Sequence, residues 1–131
     1  MSATYLAPQM LANPAVDALN LTAVMAKVVA EHDMDPAMAA TAETLYRQFL
    51  TLKAENMAAT IVPPRLADLV WHEHITHTRQ YMADCQAVFG EYLHHTPNAE
   101  DSEAFYANVS APLWQASFGV NVKKFAANSC S

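Results

Sequence analysis

Three of the chain's six histidines fall within one short stretch, DLVWHEHITHTRQY at 68–81, beside Asp68, Trp71 and Glu73. Imidazole nitrogens and carboxylate oxygens are common ligands of divalent transition ions, and two or three histidines with one carboxylate suit zinc or iron(II). Each helical residue turns by about 100°, so positions four apart share a face and positions two apart do not. Asp68 and His72 thus stand one turn apart. The carboxylate can bind a cation together with the ring, or orient the ring through its other nitrogen. Without a metal, the same spacing is a surface pair worth about 0.2–0.5 kcal/mol. Glu73 with His77, and His74 with His77, are also neighbours. His72 and His74 diverge by about 160° in a regular helix. They reach one ion only where the backbone turns away at a helix end. Thr76 and Thr78, weak helix formers and good caps, predict such a break within THTR.

Protease chemistry is not expected. The zinc-protease pattern is H-E-x-x-H, and position 76 here is Thr, so the spacing is H-E-x-x-x-H. Glu73 therefore reads as a surface carboxylate. His94 and His95 form a second pole, at the end of a helix predicted from Thr78 to about position 93. Such a helix is roughly 24 Å long, so these rings meet His72 or His74 only if the two helices fold back and bring their junctions together. A histidine near a helix C-terminus also has a purely structural use, facing the dipole and capping carbonyls.

The elements that must position these groups are helical. Asn13 and Pro14 form a helix start, an N-cap followed by a first-turn proline. Val16, Leu19, Val24 and Val28 then recur at helical spacing, which predicts one helix to about Glu31. Asp35 and Pro36 open a second helix in the same way. Its stripe is Met38, Ala42, Leu45, Tyr46, Phe49 and Leu52, and it should end between Met57 and Thr60. The short link makes the two an antiparallel pair. Pro63 and Pro64 force extended backbone, after which helices over 65–76 and 78–93 are expected, or one continuous helix instead. Tyr81, Cys85, Val88, Phe89 and Tyr92 line the later one. Pro97 and Asn98 mark a loop. One or two further helices follow, capped by Asp101 or Ser102, broken or restarted at Pro112 and closed at Gly119.

With 131 residues, 53% of them hydrophobic, 15% charged and only two glycines, the composition is that of one helical domain with a core. The expectation is an all-α single-domain irregular bundle of five to six helices over 1–131, with an irregular arm at 1–12 and a tail at 120–131. A net charge of −6 argues against a nucleic-acid partner. No run of about 18 apolar residues predicts a membrane span, and no signal peptide is apparent, so the expected location is the cytoplasm. Cys85 reads as a buried small hydrophobe and Cys130 as a free thiol on a tail.

Residues 68–95 resemble the motif of the glycine-rich domain-containing protein-like family, a domain of unknown function found in plants, fungi and bacteria. Asp68, Leu69, Trp71, His72, His74, Thr78, Tyr81, Gly90, Leu93 and His95 match its pattern, D-L-x-W-H-x-H, then Y, then G-x-x-L-x-H. Thr76 departs from it, standing where the family has leucine. The match covers about a fifth of the chain and is similar to short bacterial members made of this domain alone. The resemblance implies that His72, His74 and His95 are to be preferred over His77 and His94, and it carries no reaction.

Two functions follow as expectations. In one, Asp68, His72, His74 and His95 hold zinc or iron, which activates water or dioxygen, while Tyr81 donates a proton or hydrogen-bonds a substrate. In the other, the chain is a non-catalytic module for a small molecule or protein partner, and its histidines are structural. A metal carrier using Cys85 or Cys130 is a third. The Met-rich stripes also leave room for a homodimer.

Overall fold

The computed structural model describes residues 11–95 and 102–124, and among them the chain is all-α, with no β-strand. Most of the arm at 1–12, the breakers Pro97 and Asn98, the cap Asp101, and the tail beyond 124 with Cys130 lie outside the described residues. No helix among the described residues is long and apolar enough to cross a membrane.

The single first helix expected from Pro14 is two helices, α1 (Pro14–Asp17) and α2 (Thr22–His32). Asn13 caps α1 as its sequence predicts, its Oδ1 accepting from the amides of Ala15 and Val16 at 3.0 and 3.2 Å. The chain then turns, and Asn20 Oδ1 accepts from Thr22 N at 3.1 Å. The break frees backbone carbonyls, which need partners when buried. Arg47 supplies them from across the core, donating to Val16 O at 2.8 Å and Leu19 O at 3.0 Å while it is paired to Glu43. Apolar spacing cannot register this, because Val16, Leu19, Val24 and Val28 are buried whether or not the helix is continuous.

Helix α3 (Pro36–Glu55) begins where Asp35 and Pro36 predict, with Asp35 Oδ1 accepting from Met38 N at 2.8 Å. Its buried face carries Leu45, Tyr46, Phe49 and Leu52 and packs mainly on α4 (Arg65–Thr76). The proline pair at 63–64 lies immediately before α4. The buried face of α4 is Ala67, Val70, Trp71 and His74, a regular helical stripe. At His77 the backbone leaves helical geometry (φ −85°, ψ 69°), and α5 (Thr78–Phe89) starts in a new direction. The break predicted in THTR is therefore present.

The predicted end of α5 near 93 overruns the real one. Gly90 adopts φ 75°, the left-handed cap conformation, and its amide bonds to Gln86 O. Residues 91–95 leave the helix and fold back, with Leu93 buried.

The last helical stretch runs from α6 (Ser102–Phe105) through a π-helical turn (Tyr106–Ser110) into α7 (Ala111–Phe118), which Gly119 closes. Pro112 has no amide and would press on the carbonyl four residues back. The π turn, with Ala111 N bonded to Tyr106 O five residues earlier, absorbs the conflict without breaking the helix. Buried Ser110 Oγ accepts from Val62 N at 2.9 Å, and Trp114 Nε1 donates to Gln48 Oε1 at 2.9 Å. The tail expected from 120 is docked at its start, since Val122 is fully buried.

Candidate metal centre

Asp68, His72 and His95 converge. One ligand atom from each lies within 4.8 Å of the others. His72 Nε2 is 2.9 Å from His95 Nε2, His95 Nε2 is 3.1 Å from Asp68 Oδ1, and His72 Nε2 is 3.4 Å from Asp68 Oδ2. Helix α4 supplies the first two because positions 68 and 72 are one turn apart on the face beside its buried stripe. The reversal at Gly90 supplies the third. It brings His95 back to α4 without the two helix junctions having to meet, which is why the length of α5 proved no obstacle. The Trp71 ring packs against His95 with centroids 4.3 Å apart, walling one side. The other side is open. The His72 side chain is 54% exposed, against 20% for Asp68 and 17% for His95.

His74 does not join this group. Its ring belongs to the core stripe of α4 and is 1% exposed. Nε2 bonds to Asp84 Oδ2 at 2.8 Å and Nδ1 to the Tyr46 hydroxyl at 2.6 Å, so both ring nitrogens are used. A carboxylate only accepts, so Nε2 carries the hydrogen. Burial holds the imidazole below its ordinary pKa, partly offset by Asp84, and keeps it neutral. Nδ1 is then an acceptor, and Tyr46 donates to it. The same burial pushes the Tyr46 phenol well above its usual range. Asp84 and Tyr46 are the partners that sequence reasoning missed. Nothing local marks Asp84, which lies across the break from His74. The burial of His74 was readable, since Ala67, Val70 and Trp71 put it on their stripe by spacing alone.

Tyr81 is also interior, at 1% exposure. Its hydroxyl donates to Leu93 O and accepts from Trp71 Nε1 at 2.9 Å. The proton that a donor role would use is already given to Leu93, and burial raises the phenol's pKa far above the usual value. His77 Nε2 pairs with Glu73 Oε2 at 3.0 Å one turn away, and Thr76 Oγ1 also donates to that carboxylate, so Glu73 is a local hub rather than a bare surface charge. His94 stacks edge-on with Tyr92 and stays exposed. Cys85 is buried, its thiol pushed up by desolvation, as a small core residue would be.

The fold and the cluster define an all-α protein with a two-histidine, one-carboxylate group that could hold a metal ion. The chain belongs to the UCP032817-like family, whose model matches residues 15–111, a description that names no activity. The match takes in all of α1 but Pro14, then α2 to α5, the whole cluster and the π turn. No curated protein and no solved structure matches the chain.

Proposed function

We propose that Asp68, His72 and His95 bind one divalent transition ion, zinc or iron(II), and that the ion serves a reaction on a small substrate entering beside His72. The observation that carries this is the triangle of short distances. Each imidazole nitrogen offers either one lone pair or one hydrogen. It can therefore serve one edge of the triangle, whichever protonation state it takes, and at least one of the three contacts is left without a hydrogen. A cation held between the two imidazole nitrogens and the carboxylate, whose Oδ1 faces His95 and whose Oδ2 faces His72, relieves all of them at once. The sizes agree: metal–ligand bonds of about 2.0–2.2 Å put neighbouring ligand atoms about 2.9–3.5 Å apart, from right-angled to tetrahedral geometry. The observed contacts are 2.9 Å between the rings, 3.1 Å from His95 to Oδ1 and 3.4 Å from His72 to Oδ2 of the same carboxylate, and one ligand atom from each residue lies within 4.8 Å of the others.

Three protein ligands with a solvent-facing side is the arrangement of reactive rather than structural sites, which are closed by four. Two histidines and a carboxylate are also the facial set used by non-haem iron(II). All three ligands are among the residues through which 68–95 resembles the glycine-rich domain-containing protein-like family, and a metal function for that motif would account for its spacing.

Metal content tests the proposal. Protein made without a histidine tag, loaded with zinc or with iron(II) under anaerobic conditions and then dialysed, should retain about one equivalent by plasma mass spectrometry. His72→Ala and His95→Ala should retain none while far-UV circular dichroism stays unchanged, and His77→Ala should retain it. A wild-type chain that takes up neither ion would reduce the cluster to a surface hydrogen-bond network.

A further inference from the structure

We infer that Tyr81 is a positioning residue for this centre, fixing His95 against Asp68 and His72 through its hydroxyl. The inference rests on the metal-binding proposal and names what holds that site's geometry. His95 has no helix of its own. Residues 91–95 lie outside regular structure after Gly90, and the ring must still arrive within about hydrogen-bond distance of two groups on α4.

One oxygen ties the parts together. The Tyr81 hydroxyl, on α5, donates to Leu93 O, two residues before His95. It accepts from the Nε1 of Trp71, on α4, immediately before His72 and three residues after Asp68. The Trp71 ring then forms the face on which His95 rests. Tyr92, immediately before Leu93, meets the Tyr81 ring edge-on at 5.2 Å. The phenol oxygen thereby joins both helices and the returning segment, and it does so at a depth that water does not reach. Partners bonded directly to a ligand commonly account for about 10–100-fold in metal affinity; Tyr81 acts one step removed, through Leu93 and Trp71, so the low end, about 10-fold, is expected of it.

Tyr81→Phe keeps the ring and removes only the oxygen. The experiment titrates zinc alone into wild type, Tyr81→Phe and Tyr106→Phe by calorimetry, and records nuclear Overhauser contacts between the His95 and Trp71 rings in the metal-free proteins. Tyr106 is the comparison, a buried phenol that donates to Val122 O, away from the cluster. The expected result is a site about 10-fold weaker and loss of the His95–Trp71 contacts in Tyr81→Phe, with both unchanged in Tyr106→Phe. Should Tyr81→Phe fail to fold, Trp71→Phe keeps the face under His95, removes the bond to the phenol, and should weaken zinc in the same direction. Unaltered affinity and unaltered ring contacts in a folded Tyr81→Phe protein would overturn the inference. If the wild type binds no zinc, the metal proposal falls on its own, and the ring contacts separately decide whether Tyr81 places His95.

Discussion

Replacing His74 by Phe separates a core histidine from a metal ligand. The substitution keeps a buried ring and removes two hydrogen bonds. Tyr46, fully buried, is left with a hydroxyl that has lost its acceptor, at a cost of about 1–3 kcal/mol. Asp84 loses its bond to Nε2 but remains partly exposed and keeps Gln80 Nε2 at 3.2 Å, so its share is about 1 kcal/mol. The sum is about 2–4 kcal/mol. Urea unfolding followed by circular dichroism reads it as a lower midpoint with an unchanged slope. The double variant Tyr46→Phe with His74→Phe removes donor and acceptor together and should recover most of the loss, giving a coupling of about 1–3 kcal/mol in the double-mutant cycle. Zinc content should match wild type in His74→Phe, in Tyr46→Phe and in the double variant. Additive losses in the cycle would refute the hydrogen bond as the source of the cost, and loss of zinc in a folded His74→Phe protein would return His74 to the ligand set.

Three further outcomes are expected. Arg47→Met takes the guanidinium from Leu19 O and leaves Val16 O only its turn bond from Leu19 N at 3.1 Å, and should cost about 1–2 kcal/mol, measured in urea, with hydrogen exchange faster in α1 and the α1–α2 corner than elsewhere. Gly90→Ala meets no atom within 4 Å of its new Cβ, so its cost is the left-handed backbone alone, about 1–2 kcal/mol, and a thermal melt unchanged from wild type would contradict that φ. Burial raises the pKa of the Cys85 thiol and of the Tyr46, Tyr81 and Tyr106 phenols. The folded state then holds protons that the unfolded chain releases above the ordinary values of 9.0 and 10.0, so stability is full below that range and falls as pH rises through it. Melting temperature from pH 8 to 11 checks this beside absorbance at 295 nm, where ionisation of all the tyrosines in a chain with native circular dichroism would be the contrary result.

Much of the scaffold was legible because it follows from local chemistry. Asn13–Pro14 and Asp35–Pro36 announce helix starts, Thr76 and Thr78 mark the α4–α5 break, and Gly119 ends α7. What escaped depended on partners remote in the chain. The corner at Ala18–Leu21 is held by an arginine on α3. The π turn answers a proline at its end, and a sequence gives the conflict without its resolution. Gly90 is different: a glycine at the end of an apolar helical stripe is a cap signal, and the stripe's apparent continuation to Tyr92 outweighed it. For the site, Asp68 and His72 could be paired from their spacing. His95 could not be placed without the reversal at Gly90, and only the resemblance singled it out from His94 beside it. His74 was grouped with the ligands because the resemblance preferred it, although its neighbours at 67, 70 and 71 already put it inside.

The unequal exposure of the three ligands has a kinetic consequence. Asp68 and His95 are recessed, whereas the ring of His72 stands largely in water on a side chain with two rotatable bonds. A cation held there would be released stepwise, with His72 swinging off first and a chelator such as EDTA taking the vacated position. Such an ion would exchange with the surrounding pool while the helices stay folded, unlike one sealed in at synthesis.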